Sequence, residues 1–154
     1  MAIRDNFKNA KMLVIEDNPD EAILINDVLR RILPEVAITL VTNEPDALAY
    51  LNRCSVEEWD LPKLILLDLY LPDPQNGWRL LERIKGLPAA MGKIPVVLLS
   101  RSNHHADITE AYQRGCSSYL IKPLLLTEWQ HYFQCLRAYW WETVTLPKVG
   151  ISIH

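Results

Sequence analysis

A doubly wound α/β fold, built on a five-stranded parallel sheet in the order 2-1-3-4-5, is predicted by three observations. Short apolar runs alternate with stretches of helical periodicity along the chain, making five strand–helix units with no internal repeat. The runs Leu64-Ile65-Leu66-Leu67 and Val96-Val97-Leu98-Leu99 are continuously apolar, as strands covered on both faces are. Right-handed crossovers then place helices on both sides of the sheet, and the winding reverses between the first and third strands.

The elements follow in order. Lys11 to Glu16 reads as the first strand, and Asn18-Pro19-Asp20 opens a helix to about Leu33, whose apolar positions recur at helical spacing until Pro34 stops it. Ala37 to Val41 is a strand in which Thr39 suits an edge position, and Glu44-Pro45-Asp46 starts a helix to about Arg53. After a loop from Ser55 to Lys63 the third strand ends on Asp68, and a proline-containing loop through Asn76-Gly77 leads to a helix from about Trp78 to Lys85. Gly86 to Pro95 connects to the strand Val96 to Ser100, and Ala106 to Arg114 is a helix with Gly115 at its C-terminal end. Ser118 to Lys122 is the last strand, and Thr127 is expected to cap a final helix with the stripe Trp129, Tyr132, Phe133, Leu136 and Trp140. Residues 1–10 read as an N-terminal arm, 11–141 as one domain and 142–154 as an extended tail.

Composition narrows the function. A net charge of −3 offers no basic footprint for nucleic acid. No apolar stretch approaches the ~20 residues that span a bilayer, and the N-terminus lacks the apolar core of a signal peptide. The 3 cysteines, Cys54, Cys116 and Cys135, are too few and scattered for a disulfide framework and suit a reducing cytoplasm.

In a parallel sheet the polar residues that close the apolar runs meet at one mouth, at the switch point where such folds bind ligands. Here they are Glu16 and Asp17 after the first run, Asp68 after the third, Ser100 after the fourth, and Lys122-Pro123 after the fifth. Three neighbouring carboxylates repel one another and call for a cation or protons. A hard divalent ion such as Mg²⁺ takes one or two carboxylates with water and phosphate oxygens. One acid is then free to attack a phosphoryl group and form an acyl phosphate. The transferred oxygens need a hydroxyl donor and an ammonium, which Ser100 and Lys122 supply. Taken singly, each residue has a plainer reading, as a helix cap, a turn residue or a solvated lysine.

The joint set of Glu16-Asp17, Asp68, the Leu71-Pro72 turn leading to Gly77, Ser100 and Lys122-Pro123 resembles the receiver domains of bacterial two-component response regulators, over about Lys11 to Tyr139. The resemblance implies a flavodoxin-like receiver fold. It implies that Asp68 accepts a phosphoryl group from a histidine kinase. Asp17, Asp68 and the Tyr70 carbonyl would bind Mg²⁺ directly, and Glu16 through water. Ser100 and Lys122 would hold the phosphoryl oxygens, Ser100 shifting and Tyr119 swinging inward behind it on phosphorylation. The Lys122-Pro123 bond is usually cis in this family. The protein would be a phosphoacceptor in signalling and not a turnover enzyme.

The ends of the chain narrow the resemblance. Trp140-Trp141 and the tail Glu142-Thr143-Val144-Thr145-Leu146-Pro147, with the segment Ile94 to Leu99, resemble stand-alone response regulators that partner phytochromes, especially cyanobacterial ones. Only Trp141 to His154 follow the last helix, so output is expected through protein contacts. Exposed aromatics and the tail suggest a homodimer through Tyr119, Trp129, Tyr132, Trp140, Trp141 and Leu146, set against a tail that folds back on its own domain.

Two departures from the family pattern stand out. The Asp68-to-Gly77 spacing is nine residues where eight is usual, and Arg101 stands where a small residue is usual. A guanidinium there is expected to crowd attacking water and slow dephosphorylation, unless it points outward. His104-His105 do not share a helix face and carry no metal reading. The alternatives are a pseudo-receiver that acts without phosphorylation and a phosphohydrolase of the haloacid dehalogenase type. The latter wants a second acid where Tyr70 stands.

Overall fold

The protein is described by a computed structural model covering residues 2–54, 61–70 and 73–147. Its five strands are β1 (Lys11–Ile15), β2 (Ala37–Val41), β3 (Leu64–Asp68), β4 (Val96–Ser100) and β5 (Ser118–Ile121). They form one parallel sheet in the order β2-β1-β3-β4-β5. The helices are α1 (Ala2–Phe7), α2 (Pro19–Ile32), α3 (Glu44–Cys54), α4 (Pro74–Lys85), α5 (His105–Gln113) and α6 (Leu126–Leu136).

Every residue of β3 and β4 is buried, as their continuous apolar sequences require. Their alternate side chains feed two cores. Ile65, Leu67, Val96 and Leu98 pack with Leu51, Leu80, Leu81 and Ile84 of α3 and α4. Leu64, Leu66, Val97 and Leu99 pack on the other face with Ile25, Val28 and Leu29 of α2 and Trp129, Phe133 and Leu136 of α6. This is the doubly wound arrangement, and it leaves the C-terminal ends of the strands open between the helices.

Local chemistry sets the helix ends. Asn18 caps α2 by accepting from the N–H groups of Asp20 and Glu21, at 3.0 and 3.1 Å, with Pro19 at the first helical position. Helix α4 starts at Pro74, a turn before the expected Trp78, because Asp73 accepts from Asn76 N–H at 3.1 Å and Pro74 suits the first turn. Asn76-Gly77, expected in a loop, therefore lies inside this helix. Thr127 does not cap α6. The helix already starts at Leu126, after an extended Leu125 that makes no side-chain cap bond. A 3-10 turn, Ala89–Lys93, stands within the expected connection to β4.

The N-terminal arm contains a helix. Buried Asn6 donates to the carbonyls of Trp141 and Val144, at 3.0 and 2.7 Å, and accepts from Leu146 N–H at 3.0 Å. Lys63 donates to the Asp5 and Asn6 carbonyls, at 2.6 and 3.1 Å, so its ammonium caps the C-terminal end of α1. After α6 the chain winds through a π-helical turn, Arg137–Trp141. Trp141, stacked on Phe7, and Leu146 are both buried in the α2–α6 core. The described part of the tail thus folds back on its own domain.

Candidate functional site

The sheet's hydrogen-bond ladder runs up to the open ends of the strands. Glu16 N–H donates to the Val41 carbonyl at 3.0 Å, Leu69 N–H to Leu99 at 2.9 Å, and Lys122 N–H to Ser100 at 2.7 Å. These bonds fix the residues that follow each strand relative to their neighbours. Parallel register then places Asp68 beside Leu99 and Ser100 beside Ile121.

Glu16, Asp17, Asp68, Ser100 and Lys122, all expected at the mouth, are brought together there. Glu16, Asp17 and Asp68 each offer a carboxylate oxygen, and these lie within 4.8 Å of one another. Glu16, Asp68 and Ser100 are buried and Asp17 is partly exposed. Lys122 reaches back across the strand ends to donate to Glu16 Oε1 at 2.9 Å, and its ammonium lies 3.1 Å from Asp68 Oδ1. Tyr70 N–H donates to the same Asp68 oxygen at 3.3 Å.

This crowding shifts the titrations. Burial, then the hydrogen bond and charge of Asp68, push Glu16 up to about 9, against the pull of Lys122. Burial and Asp68 raise Asp17 as well. Burial works against the Lys122 ammonium, but Asp68, Glu16 and Glu21 outweigh it and raise its pKa. Three converging oxygen donors with an excess of negative charge are the donor set of a hard divalent cation. The residues present therefore suit Mg²⁺ or Mn²⁺.

The turn after β4 carries the hydroxyl. Ser100 Oγ accepts from Ser102 N–H at 3.0 Å, and Ser102 Oγ donates to Asp107. Tyr119 donates its hydroxyl to the Ser102 carbonyl at 2.8 Å, which ties the ring to the same turn. Ser102 and Asp107 did not figure in the sequence reading.

Glu21 was also missed. It stands in the first turn of α2, four residues after Asp17, accepts from Lys122 Nζ at 2.6 Å, and pairs with Arg101. Burial pushes its carboxyl up, but Lys122, then a hydrogen bond with Glu16 and the charge of Arg101, hold it below the usual glutamate range. The signal was an acid in the first turn of the helix that opens directly after Asp17.

Gly77 packs closely against the end of β3. A Cβ there would lie 1.9 Å from the Leu69 carbonyl oxygen, so the first turn of α4 rests directly on the backbone beside Asp68. Leu71 and Pro72 lie outside the described residues.

The side chains expected at an interface divide. Trp129, Trp141 and Leu146 are buried in the chain's own core and present no surface to a partner in this conformation. Tyr119, Tyr132 and Trp140 are partly exposed. Tyr132 and Trp140 line an apolar groove of about 420 Å³ with Leu120, Leu136 and Tyr139.

A family model described as the response regulator receiver domain matches residues 12–133. The response regulator Rcp1 of Synechocystis is 32% identical over 137 residues, 88% of this chain and 92% of its own. The crystal structure of the phosphorylated cyanobacterial phytochrome response regulator RcpA superposes with a TM-score of 0.78 at 32% identity, over 90% of this chain and 99% of that one. The Mn²⁺-bound form of Rcp1 gives 0.76 at 31% identity, over the same 90% and 99%.

Proposed function

Since this chain belongs to the response regulator receiver domain family, we propose that Asp68 accepts a phosphoryl group from a sensor histidine kinase and that the phosphorylated domain signals through protein contacts. The observation that carries this reading is the single cluster in which Asp68 lies 3.1 Å from Lys122 Nζ and shares a divalent-ion donor set with Glu16 and Asp17.

Asp17, Asp68 and the Tyr70 carbonyl would hold Mg²⁺, with Glu16 assisting through water. Such an ion, when bound, would supply positive charge against the incoming phosphoryl oxygens. Asp68 attacks phosphorus as a carboxylate, and the bond from phosphorus to the donor's histidine nitrogen breaks. Lys122 turns its ammonium from Asp68 to a phosphoryl oxygen while staying beside Glu21, and the Ser100 hydroxyl donates to another. Movement of Ser100 alters the turn to which Tyr119 is bonded, which gives the phosphoryl group a route to the β4–β5 surface. Phosphotransfer from an autophosphorylated histidine kinase tests the reading. Label should pass to the wild type and not to Asp68→Asn, and label on both would place the acceptor elsewhere.

The kinship with Rcp1 and RcpA makes a phytochrome the kinase class to test first, in the cytoplasm. A homodimer is part of the same reading. Ile121, Tyr112 and Tyr139 are exposed around the edge strand β5, 39%, 50% and 55% respectively, beside the groove lined by Tyr132 and Trp140.

A further inference from the structure

Glu21 has no part in the scheme above, yet it makes the shortest contact to Lys122, at 2.6 Å against 2.9 Å for Glu16 and 3.1 Å for Asp68. Its other oxygen pairs with Arg101. One carboxylate therefore joins the cation that closes β5 to the cation that follows β4. The path of this bridge matters. Arg101 follows β4, Glu21 stands on the helix that follows β1, and β3 lies between those two strands. An ion pair from one side to the other spans the strand end that carries Asp68. The Glu21 side chain is only 12% exposed and that of Arg101 is 54% exposed, so the carboxylate is the inner member and the guanidinium the outer one.

We propose that Glu21 is a positioning residue that ties the Arg101 guanidinium to Lys122 across the end of β3, where the pair screens the phosphorylated Asp68 from water. The inference rests on the reading of Asp68 as phosphoacceptor. Hydrolysis adds water oxygen to phosphorus, breaks the bond from phosphorus to the Asp68 oxygen, restores the carboxylate, and leaves both water protons on the released phosphate. The attacking water comes in line, from the side opposite the Asp68 oxygen, which is the solvent side of the strand end. A tethered guanidinium there excludes it. Two cations also neutralise Glu21, so an acid this close to the site does not repel the phosphoryl dianion.

The test uses the full chain as wild type, Glu21→Gln, Arg101→Gln and the double variant. Glu21→Gln keeps an oxygen acceptor for Lys122, and Arg101→Gln alters an exposed side chain, so both folds should persist, as circular dichroism checks. Each protein is phosphorylated with acetyl phosphate and Mg²⁺, the donor is removed, and loss of the phosphoryl group is followed by intact mass. Mn²⁺ affinity is measured by titration calorimetry as a second readout. Both single variants should lose the phosphoryl group about tenfold faster than wild type, the scale of one charge-assisted contact. The double variant should be no faster than the singles, because the two residues act as one unit. Mn²⁺ affinity should move in opposite directions, weaker in Glu21→Gln and tighter in Arg101→Gln. Lifetimes that follow the Mn²⁺ pattern would show charge acting alone and overturn the tether, as would unchanged lifetimes or multiplicative rates in the double variant. A wild type that gains no phosphoryl group from either acetyl phosphate or a histidine kinase overturns the reading of Asp68 and the tether with it.

Discussion

A Cβ on Gly77 has nowhere to go, since the Leu69 carbonyl oxygen would lie 1.9 Å away. Gly77→Ala must lift the start of α4 off the backbone beside Asp68. The expected cost is about 3 kcal/mol by urea denaturation, together with weaker Mn²⁺ binding; an unchanged midpoint would contradict this packing. Glu44 illustrates the charged counterpart. It is largely buried at the start of α3 and accepts from Arg79 at 2.7 Å and Arg83 at 2.6 Å. The Arg79 hydrogen bond holds its carboxyl below the usual range, against burial. A carboxyl whose folded pKa is depressed stabilises the fold above the unfolded pKa, and that stability is lost as pH falls through the folded pKa. Glu44→Gln should lower stability at neutral pH by about 2 kcal/mol, and the gap to wild type should close in acid. A gap that persists at acid pH would sink the assignment. Asp68, Asp17 and Lys122 were legible in sequence because each ends an apolar run, whereas Glu21 was not, because its role depends on which way a helix face turns.

At the scale of elements, the sheet order and strands were legible because continuous apolar runs allow few other placements. Helix ends were less so. Asn18-Pro19 announced α2, but Asp73-Pro74 carries the same cap chemistry and was read as loop because Asn76-Gly77 is also a turn signal. Helix α1 escaped notice because its stability is tertiary, resting on Lys63 and on Asn6, which lie far apart from their partners in sequence. Asn6→Leu strands the carbonyls of Trp141 and Val144 and the N–H of Leu146. We expect a loss on the order of 3 kcal/mol and faster amide exchange over residues 142–146. Exchange as slow as in wild type would mean that the tail is held by other contacts.

For the whole molecule, two cores share one sheet, and the site lies where both meet solvent at the strand ends. In the proposed reading, a change at Ser100 would reach the β5 face through the Tyr119 bond to Ser102 without unfolding either core. The burial of Trp141 and Leu146 shifts any dimer contact toward the groove beside β5. Sedimentation equilibrium should show a dimer for wild type and a monomer for Tyr139→Glu. A wild-type monomer at every concentration would remove the homodimer from this account.

The central claim is that Asp68 takes a phosphoryl group in a divalent-ion site, and intact mass measures it directly. The protein is incubated with acetyl phosphate and Mg²⁺, beside Asp68→Asn and a sample with EDTA. The account predicts a gain of one phosphoryl group in wild type, absent from both controls. The same gain in Asp68→Asn, or in EDTA, would contradict it.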